Sequence, residues 1–520
     1  MLITEILARN ARVYTDEVAL IEREPATGRR SEISWRTFDR QANRFANALM
    51  ARGIGRGDRV AHLLMNCIEW LPAYFGILRT GGLAVPLNFR FEADVIQGCS
   101  ELVEPRVFLF GEEFVERVSA IREVLDRWVE HYIFIGPDER CPDYATRYED
   151  FVAGASDIDP GTEMEITDDA ALYFTSGTTG LPKAVCLTHR NLEHACYVEN
   201  RHHNQTHEDN FLCIPPLYHT GAKMHWFGNF IVGARAVILK GVKPKWILEA
   251  VSEERATIVW LLVPWAHDIL IAHENGEIDL SDYQLDQWRL MHIGAQPVPP
   301  NLIKAWKRLF PHHDYDTNYG LTECTGPGCV HLGMENIHKI GAIGVPGFDW
   351  ECRIVDFDGQ DLPDGERGEL LVKGPGVMRC YYRNPGATEE AVREGWLHTG
   401  DIARRDEEGF IWLVDRKKDL IITGGENVSP VEVEHFLMTH PAIQDVGVIG
   451  TPDQRLGELV TAVVQLKPGK VVTQEALIAF AEGLPRYKRP RVIHFGEVPR
   501  NATGKIEKPK LRERYAFSRI

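Results

Sequence analysis

Two hydrophobic spacings alternate along this chain, and their alternation predicts helices layered over sheets. From Gly57 the stretch GDRVAHLLMNCIEWLPAYFGILRTGGLAVPLN opens with a short apolar run at 60–64 and takes helical spacing over 70–78. Gly81 and Gly82 stop that helix, and extended apolar chain resumes at 84–86. Strand, helix and strand in that order form a βαβ unit, and the alternation recurs in RAVILKGVKPKWILEAVSEERATIVWLLVP over 235–264. The expected fold is α/β, with a large multi-layer N-terminal domain built on mostly parallel sheets.

The pattern changes near Gly409, in GFIWLVDRKKDLIITGGENVSPVEVEHFL. An apolar strand runs into the charged cluster Asp415, Arg416, Lys417, Lys418 and Asp419, followed by a hairpin at Gly424-Gly425. A helix then starts near Ser429-Pro430, with proline in its first turn. Strands are expected at 446–450, 459–466 and 492–495, with a helix over 474–481. These hundred or so residues suffice for a small α+β domain. The expected domains are 1–414 and 415–520.

Size and charge narrow the function. A chain of 520 residues and 58.9 kDa exceeds one ordinary core. Its 58 basic and 75 acidic side chains give a net charge of −17, against a general nucleic-acid or anionic-membrane binder. An anionic ligand therefore needs a local site. The ten cysteines include no CxxC pair, and Cys324 and Cys329 lack a second ligand pair for structural zinc. Glu5 and Arg9 interrupt any leader-like apolar core, and no apolar run reaches the roughly 18 to 20 residues of a membrane span. A cytoplasmic protein with reduced thiols is expected, which makes the sequons at Asn204, Asn427 and Asn501 coincidental.

One loop suggests what the local site holds. In ALYFTSGTTGLPKAV, residues 171–185, Gly177 and Gly180 allow close backbone approach. The hydroxyls of Thr175, Ser176, Thr178 and Thr179 and the ammonium of Lys183 suit phosphate oxygens. The spacing is not that of a P-loop, which needs four residues between its glycines and Ser or Thr directly after the lysine. Taken alone, the cluster is equally the composition of an ordinary turn.

The whole string YFTSGTTGLPKAV resembles the signature loop of the acyl-adenylate-forming superfamily, which includes acyl-CoA synthetases, luciferase and adenylation domains. Similar motifs follow in order: PPLYHTG (215–221), GAQPVPP (294–300), YGLTEC (319–324), GWLHTGD (395–401), VDRKKDLIITGGENVSPVEVE (414–434) and PRNATGKIEK (499–508). The resemblance covers nearly the whole chain and points to its acid:CoA ligase branch, with ATP, Mg²⁺ and coenzyme A as cofactors.

That resemblance implies a role for each motif. Thr175 to Lys183 would hold the β- and γ-phosphates, Thr322 the α-phosphate and Glu323 the Mg²⁺. Gly294, Ala295 and Gln296 would lie along adenine, with Tyr319 stacked beneath it; Thr317, Asn318 and Gly320 belong to the same nucleotide stretch. Asp401 and Arg416 would take the ribose. Lys505 would bridge the substrate carboxylate and the α-phosphate, neutralising charge that grows in the transition state. The small domain would rotate about Lys418 to withdraw Lys505 and present Gly424, Gly425 and Asn427 to the pantetheine arm. His219 would line the carboxylate site.

The acid pocket is expected from His219, Lys223, Trp226, Trp265, Ile293 and Cys324, and two tryptophans there suggest a short or medium, alicyclic or aromatic acid. Lys223 is read either as a partner for a second carboxylate or as a solvated lysine. Two rival functions remain: acyl transfer to a carrier protein, and a non-catalytic nucleotide-binding homologue. With fifteen residues after Lys505 and no carrier domain, free CoA is favoured; the intact Thr322, Glu323, Asp401 and Lys505 favour catalysis. The expected partners are a small carboxylic acid, ATP and CoA, with no nucleic acid, no integral membrane association and a homodimer as the default assembly.

Overall fold

A computed structural model describes residues 1–175, 182–294, 298–331, 333–416, 419–423, 426–453, 455–500 and 505–515. Two large sheets carry the first four-fifths of the chain. The seven-stranded one runs Asp314–Asp316, Leu290–Gly294, Ile258–Leu262, Asn210–Cys213, Arg235–Leu239, Val18–Glu24 and Arg29–Ser34 across its width, and only the last pairing is antiparallel. The eight-stranded one runs Cys380–Tyr381, Lys183–Thr188, Asp169–Thr175, Leu83–Pro86, Arg59–Leu63, Val107–Gly111, His131–Ile135 and Thr146–Arg147, and is parallel from Asp169–Thr175 onward.

The expected βαβ unit is present as Arg59–Leu63, the helix Trp70–Arg79 and Leu83–Pro86, its strands paired in parallel. In the 235–264 stretch, Asn210–Cys213 inserts between Arg235–Leu239 and Ile258–Leu262, so consecutive strands there are not neighbours.

Side-chain parity sorts the core into layers. Ile258, Trp260 and Leu262 face a central cluster, whereas Val259 and Leu261 on the same strand face a second one with Trp288 and Trp306. Helices Trp35–Met50, Trp70–Arg79, His189–His203 and Thr220–Ile231 fill the central cluster, which receives alternate residues from both sheets. Two of these helices approach closely at Gly76, where a Cβ would lie 2.8 Å from the carbonyl of Ala42. A third cluster, with Leu63, Val85, Phe108 and Phe134, backs the eight-stranded sheet.

Two smaller sheets lead toward the C terminus. Asn318–Gly320, Pro327–Val330 and Val345–Pro346 form one; Glu351–Val355, Gly368–Lys373, Trp396–Arg405, Val392–Arg393 and Ile411–Arg416 form the other, which is antiparallel. Asp415 and Arg416 pair with Ile402 and Asp401, so the strand continues through the expected boundary at 414. From Ile421 a last sheet encloses its own core of Val433, Leu437, Val448, Val464 and Ile493. Its helix Pro430–Leu437 is capped by Ser429, whose hydroxyl also donates to Val414 O and Asp415 Oδ2 at 2.7 and 2.8 Å. The proposed hinge residue Lys418, and Gly424 and Gly425 between Ile421–Thr423 and Glu426–Val428, lie outside the described residues.

Ala184 is a strand residue in this fold, 1% exposed and paired with Phe174. Its carbonyl accepts from Tyr382 N at 2.8 Å. Its methyl group belongs to the third cluster, where only a small side chain sits beside Leu172 and Cys186. Ala184→Gly should therefore lower stability by roughly 1–2 kcal/mol, from one lost buried methyl and a more flexible unfolded chain. A lower urea midpoint with adenylation changed less than twofold is the expected result.

Candidate functional site

The segment that suggested phosphates connects two antiparallel strands, with Thr175 paired to Lys183 at its base. Ser176, Gly177, Thr178, Thr179 and Gly180 lie outside the described residues. Lys183 is exposed, its ammonium 4.7 Å above the ring of Tyr381. The Tyr381 hydroxyl donates to Glu323 Oε1 at 2.8 Å. Burial, then the Glu323 charge, pushes that phenol's pKa up, so it stays a donor. Sequence reasoning missed Tyr381; its place became visible only through the strand Cys380–Tyr381, which pairs with Val185 and Cys186.

Thr322 and Glu323 sit in a single 3₁₀ turn, Thr322–Cys324. The turn ends at Thr325 with φ +64°, a costly conformation for a β-branched residue, held by the bond from Thr325 Oγ1 to Gly376 O at 2.8 Å. The Met378 amide donates to Glu323 O at 2.7 Å. This backbone geometry turns the Glu323 carboxylate toward Tyr381 and the base of the 176–181 connection.

Tyr319 donates from its hydroxyl to Asp401 Oδ2 at 2.5 Å, and Asp401 is 4% exposed. Burial raises the Tyr319 pKa well above its usual range, with Asp401 adding to the shift. Arg416 lies opposite Asp401 on the paired strand. The two residues expected at the ribose thus share one register position, although the Arg416 side chain lies outside what is described. Gly294 ends its strand beside the Thr317 hydroxyl and Trp260 Nε1, each 3.8 Å from where a Cβ would stand. Ala295 and Gln296 lie outside the described residues, as does the side chain of Asn427. Asn318 turns inward, its amide donating to Glu199 Oε1 at 3.1 Å.

His219 stands at the N-terminal end of the helix Thr220–Ile231, with its backbone amide on Pro216 O at 3.0 Å. Its Nε2 has no hydrogen-bond partner among the described residues. Burial, and then the charges of Lys505, Lys223 and Arg90, depress its pKa to about 3. The C-terminal Lys505, itself exposed, thus acts electrostatically on His219 in the large unit.

Two expected pocket residues are placed elsewhere. Lys223 is buried in the core, where its ammonium donates to Leu217 O at 2.7 Å and lies 4.4, 4.9 and 5.4 Å from the ring centres of Tyr173, Trp70 and Tyr74. It is neither solvated nor offered to a second carboxylate, because helical spacing from His219 turns it into the central cluster. Ile293 packs in the second cluster, since strand parity gives the opposite face to its neighbour His292. Trp226 and Cys324 are fully buried in the central cluster, and Trp265 is half-buried between the two clusters.

Sequence reasoning did not single out a buried aromatic group beside the His219 helix. Trp260 stacks on His225, with ring centres 4.3 Å apart and planes 4° from parallel. The missing side chain of Gly221 leaves room for the Trp260 ring, which would stand 3.2 Å from a Cβ there. His225 donates from Nδ1 to Gly221 O at 2.5 Å, and its Nε2 lies 2.6 Å from His292 Nε2. The signal lay in the parity of His292 against Ile293 and in the small residue two positions after His219.

Comparison with known proteins matches this geometry to a family. Residues 7–382 match the AMP-binding enzyme model, and residues 432–505 match the AMP-binding enzyme C-terminal domain. A feruloyl-CoA synthase from Amycolatopsis is 33% identical over 93% of this chain and 94% of its own. Among solved structures, an anthranilate CoA ligase in complex with anthranoyl-AMP aligns at TM-score 0.88 with 27% identity, covering 99% of this chain and 97% of that one. An o-succinylbenzoate CoA synthetase from Bacillus subtilis, with ATP and magnesium, aligns at 0.83 with 27% identity over 98% and 99% of the two chains. The chain belongs to the AMP-binding enzyme family, in its acid:CoA ligase branch, and is an AMP-forming acyl-CoA synthetase that joins a carboxylic acid to coenzyme A with ATP.

Proposed function

We propose that the acid is a compact planar ring acid and that the residues above divide the two half-reactions between them. The stacked Trp260–His225 pair beneath Gly221 carries the choice of acid. It sets a flat, rigid wall next to the His219 motif, which favours a ring over a long flexible chain. Ligases for feruloyl and anthranoyl groups among the similar proteins support the same class.

In the first half-reaction a carboxylate oxygen attacks the α-phosphorus of ATP; acyl-AMP forms and pyrophosphate leaves. Lys505 holds the carboxylate against the α-phosphate, Lys183 holds the departing phosphates, and Asp401 with Arg416 anchors the ribose. Glu323, a carboxylate oriented by Tyr381, offers the hard oxygen that suits Mg²⁺, which supplies charge neutralisation to the phosphates when bound. In the second half-reaction the CoA thiol attacks the acyl carbonyl, AMP leaves and the thiol proton is released. Neutral His219 lines the thiol's path rather than adding a competing cation. A reducing, cytoplasmic setting belongs to the same proposal.

Lys505→Ala should lower acid-dependent pyrophosphate exchange by about 10²–10³-fold while ATP binding is retained. Unchanged exchange would remove Lys505 from the chemistry. In an acid panel read by CoA-dependent AMP release, ring acids should exceed straight-chain acids of equal carbon number by at least about tenfold in kcat/KM. The reverse order would overturn the ring-acid reading while leaving the ligase activity intact.

The depressed pKa of His219 gives a pH prediction with a definite sign. A base lowered to about 3 stays neutral as pH falls from 8 to 5, so it adds no acid limb there. His219→Ala should reduce turnover without changing the shape of the kcat/KM profile between those limits, measured in constant-ionic-strength buffers.

A further inference from the structure

Behind the nucleotide segment lies a buried group of titratable side chains that the ligase chemistry does not use. Glu199 and His203 are one turn apart on the helix His189–His203, so both face the seven-stranded sheet. His292 and Asp316 are register partners on adjacent parallel strands of that sheet, which gives them neighbouring places on one face. All four are at most 5% exposed. One donor atom each from His203, His292 and Asp316 lie within 4.8 Å of one another.

Hydrogen bonds and one close charge contact orient the rings. His203 Nδ1 lies 3.1 Å from Glu199 Oε2, while His203 Nε2 lies 2.9 Å from Asp316 Oδ2. Since a carboxylate only accepts, Nε2–H donates to Asp316 in the ion-free protein, and an ion bound at Nε2 would displace that proton. His225 uses its Nδ1–H on Gly221 O, so its Nε2 accepts and His292 Nε2–H donates to it at 2.6 Å. That leaves a lone pair on His292 Nδ1, an atom that is buried and has no hydrogen-bond partner among the described residues. Behind the two rings lie a carboxylate oxygen 3.1 Å from His203 Nδ1 and a second imidazole bonded to His292. Metal-binding histidines are oriented in this way.

We propose that His203 Nε2, His292 Nδ1 and an Asp316 carboxylate oxygen bind a divalent transition-metal ion, with Glu199 and His225 as the outer groups that orient the two imidazoles. Two nitrogens and one oxygen form a donor set suited to Zn²⁺ and its neighbours, with a fourth position left for water. Two buried carboxylates call for two positive charges; an imidazolium at His203 supplies one, a divalent ion both. Bonds of about 2.0–2.2 Å would spread the 2.9 Å His203–Asp316 pair by only a few tenths of an ångström. The ion would pin the helix His189–His203 to the strands that lead into the nucleotide stretch.

The test uses the full chain, freed of metal by chelator dialysis and titrated with Co²⁺, then with Zn²⁺. Co²⁺ should saturate at about one equivalent, with a visible ligand-field band of high intensity and no thiolate charge-transfer absorption, since the set contains no cysteine. Zn²⁺ should displace it and raise Tm by several degrees. His292→Gln and Asp316→Asn should each abolish the band. Glu199→Gln should weaken binding about 10–100-fold while leaving the stoichiometry, as loss of an outer partner does. His207→Gln, a half-exposed histidine paired with Glu17, should change nothing. Absence of the band in folded wild-type protein, a thiolate band, or full binding in Asp316→Asn would each overturn the site. The wild-type titration decides the matter even where a variant fails to fold.

Discussion

The bond from Tyr319 to Asp401 is the joint on which the ligase site depends. A carboxylate that is 4% exposed must have its charge met by donors, and one donor here is a phenol 2.5 Å away on a different sheet. The Asp401 amide in turn donates to Thr399 Oγ1 at 3.1 Å. That contact fixes the strand Asn318–Gly320, and with it the Thr322–Cys324 turn, against the strand Trp396–Arg405. The latter pairs with Ile411–Arg416, the last strand before the C-terminal unit. The strand Asn318–Gly320, the Thr322–Cys324 turn and the approach to the C-terminal unit are thus one mechanical piece.

Three lysines show how environment assigns roles to one side-chain type. Lys183 stays exposed over a tyrosine whose hydroxyl is already bound to Glu323, so its charge remains available for an anion. Lys505 is exposed too, and its field reaches His219. Lys223 is buried among three aromatic rings with backbone carbonyls as acceptors, and burial drives its pKa far down. In a chain of net charge −17, the positive potential an anionic substrate requires comes from a few placed cations rather than from the surface at large.

Much of the fold was legible because local spacing and layer architecture agree. The 70–78 helix and its flanking strands, the late strands at 446–450 and 459–466, and the proline-led helix after Ser429 all lie where periodicity put them. The motifs likewise announced the family, since each is a contiguous string of the sequence. What stayed hidden was parity and cross-sheet contact. Ile293 and His292 differ by one position, and only the sheet determines which of them faces the central cluster. Lys223 read as polar, yet helix geometry turned it inward. Tyr381 lies 58 residues from Glu323, a distance no local pattern spans. Ala184 follows the lysine of the phosphate-suited string, and only its pairing with Phe174 shows that it is core.

The segment 314–320 shows how these hidden contacts serve the visible motifs. Asp316 and Asn318 both reach back to the helix His189–His203, through His203 and Glu199. Tyr319 reaches forward to Asp401. Alternate residues of one short stretch are thus tied to the helix His189–His203 on one side and to the strand Trp396–Arg405 on the other. Such a stretch cannot shift without breaking bonds to groups at most 5% exposed, which are costly to leave unmade. Catalysis that relies on preoriented charges needs a rigid partner for any domain that moves. The large unit supplies that rigidity through these buried bonds.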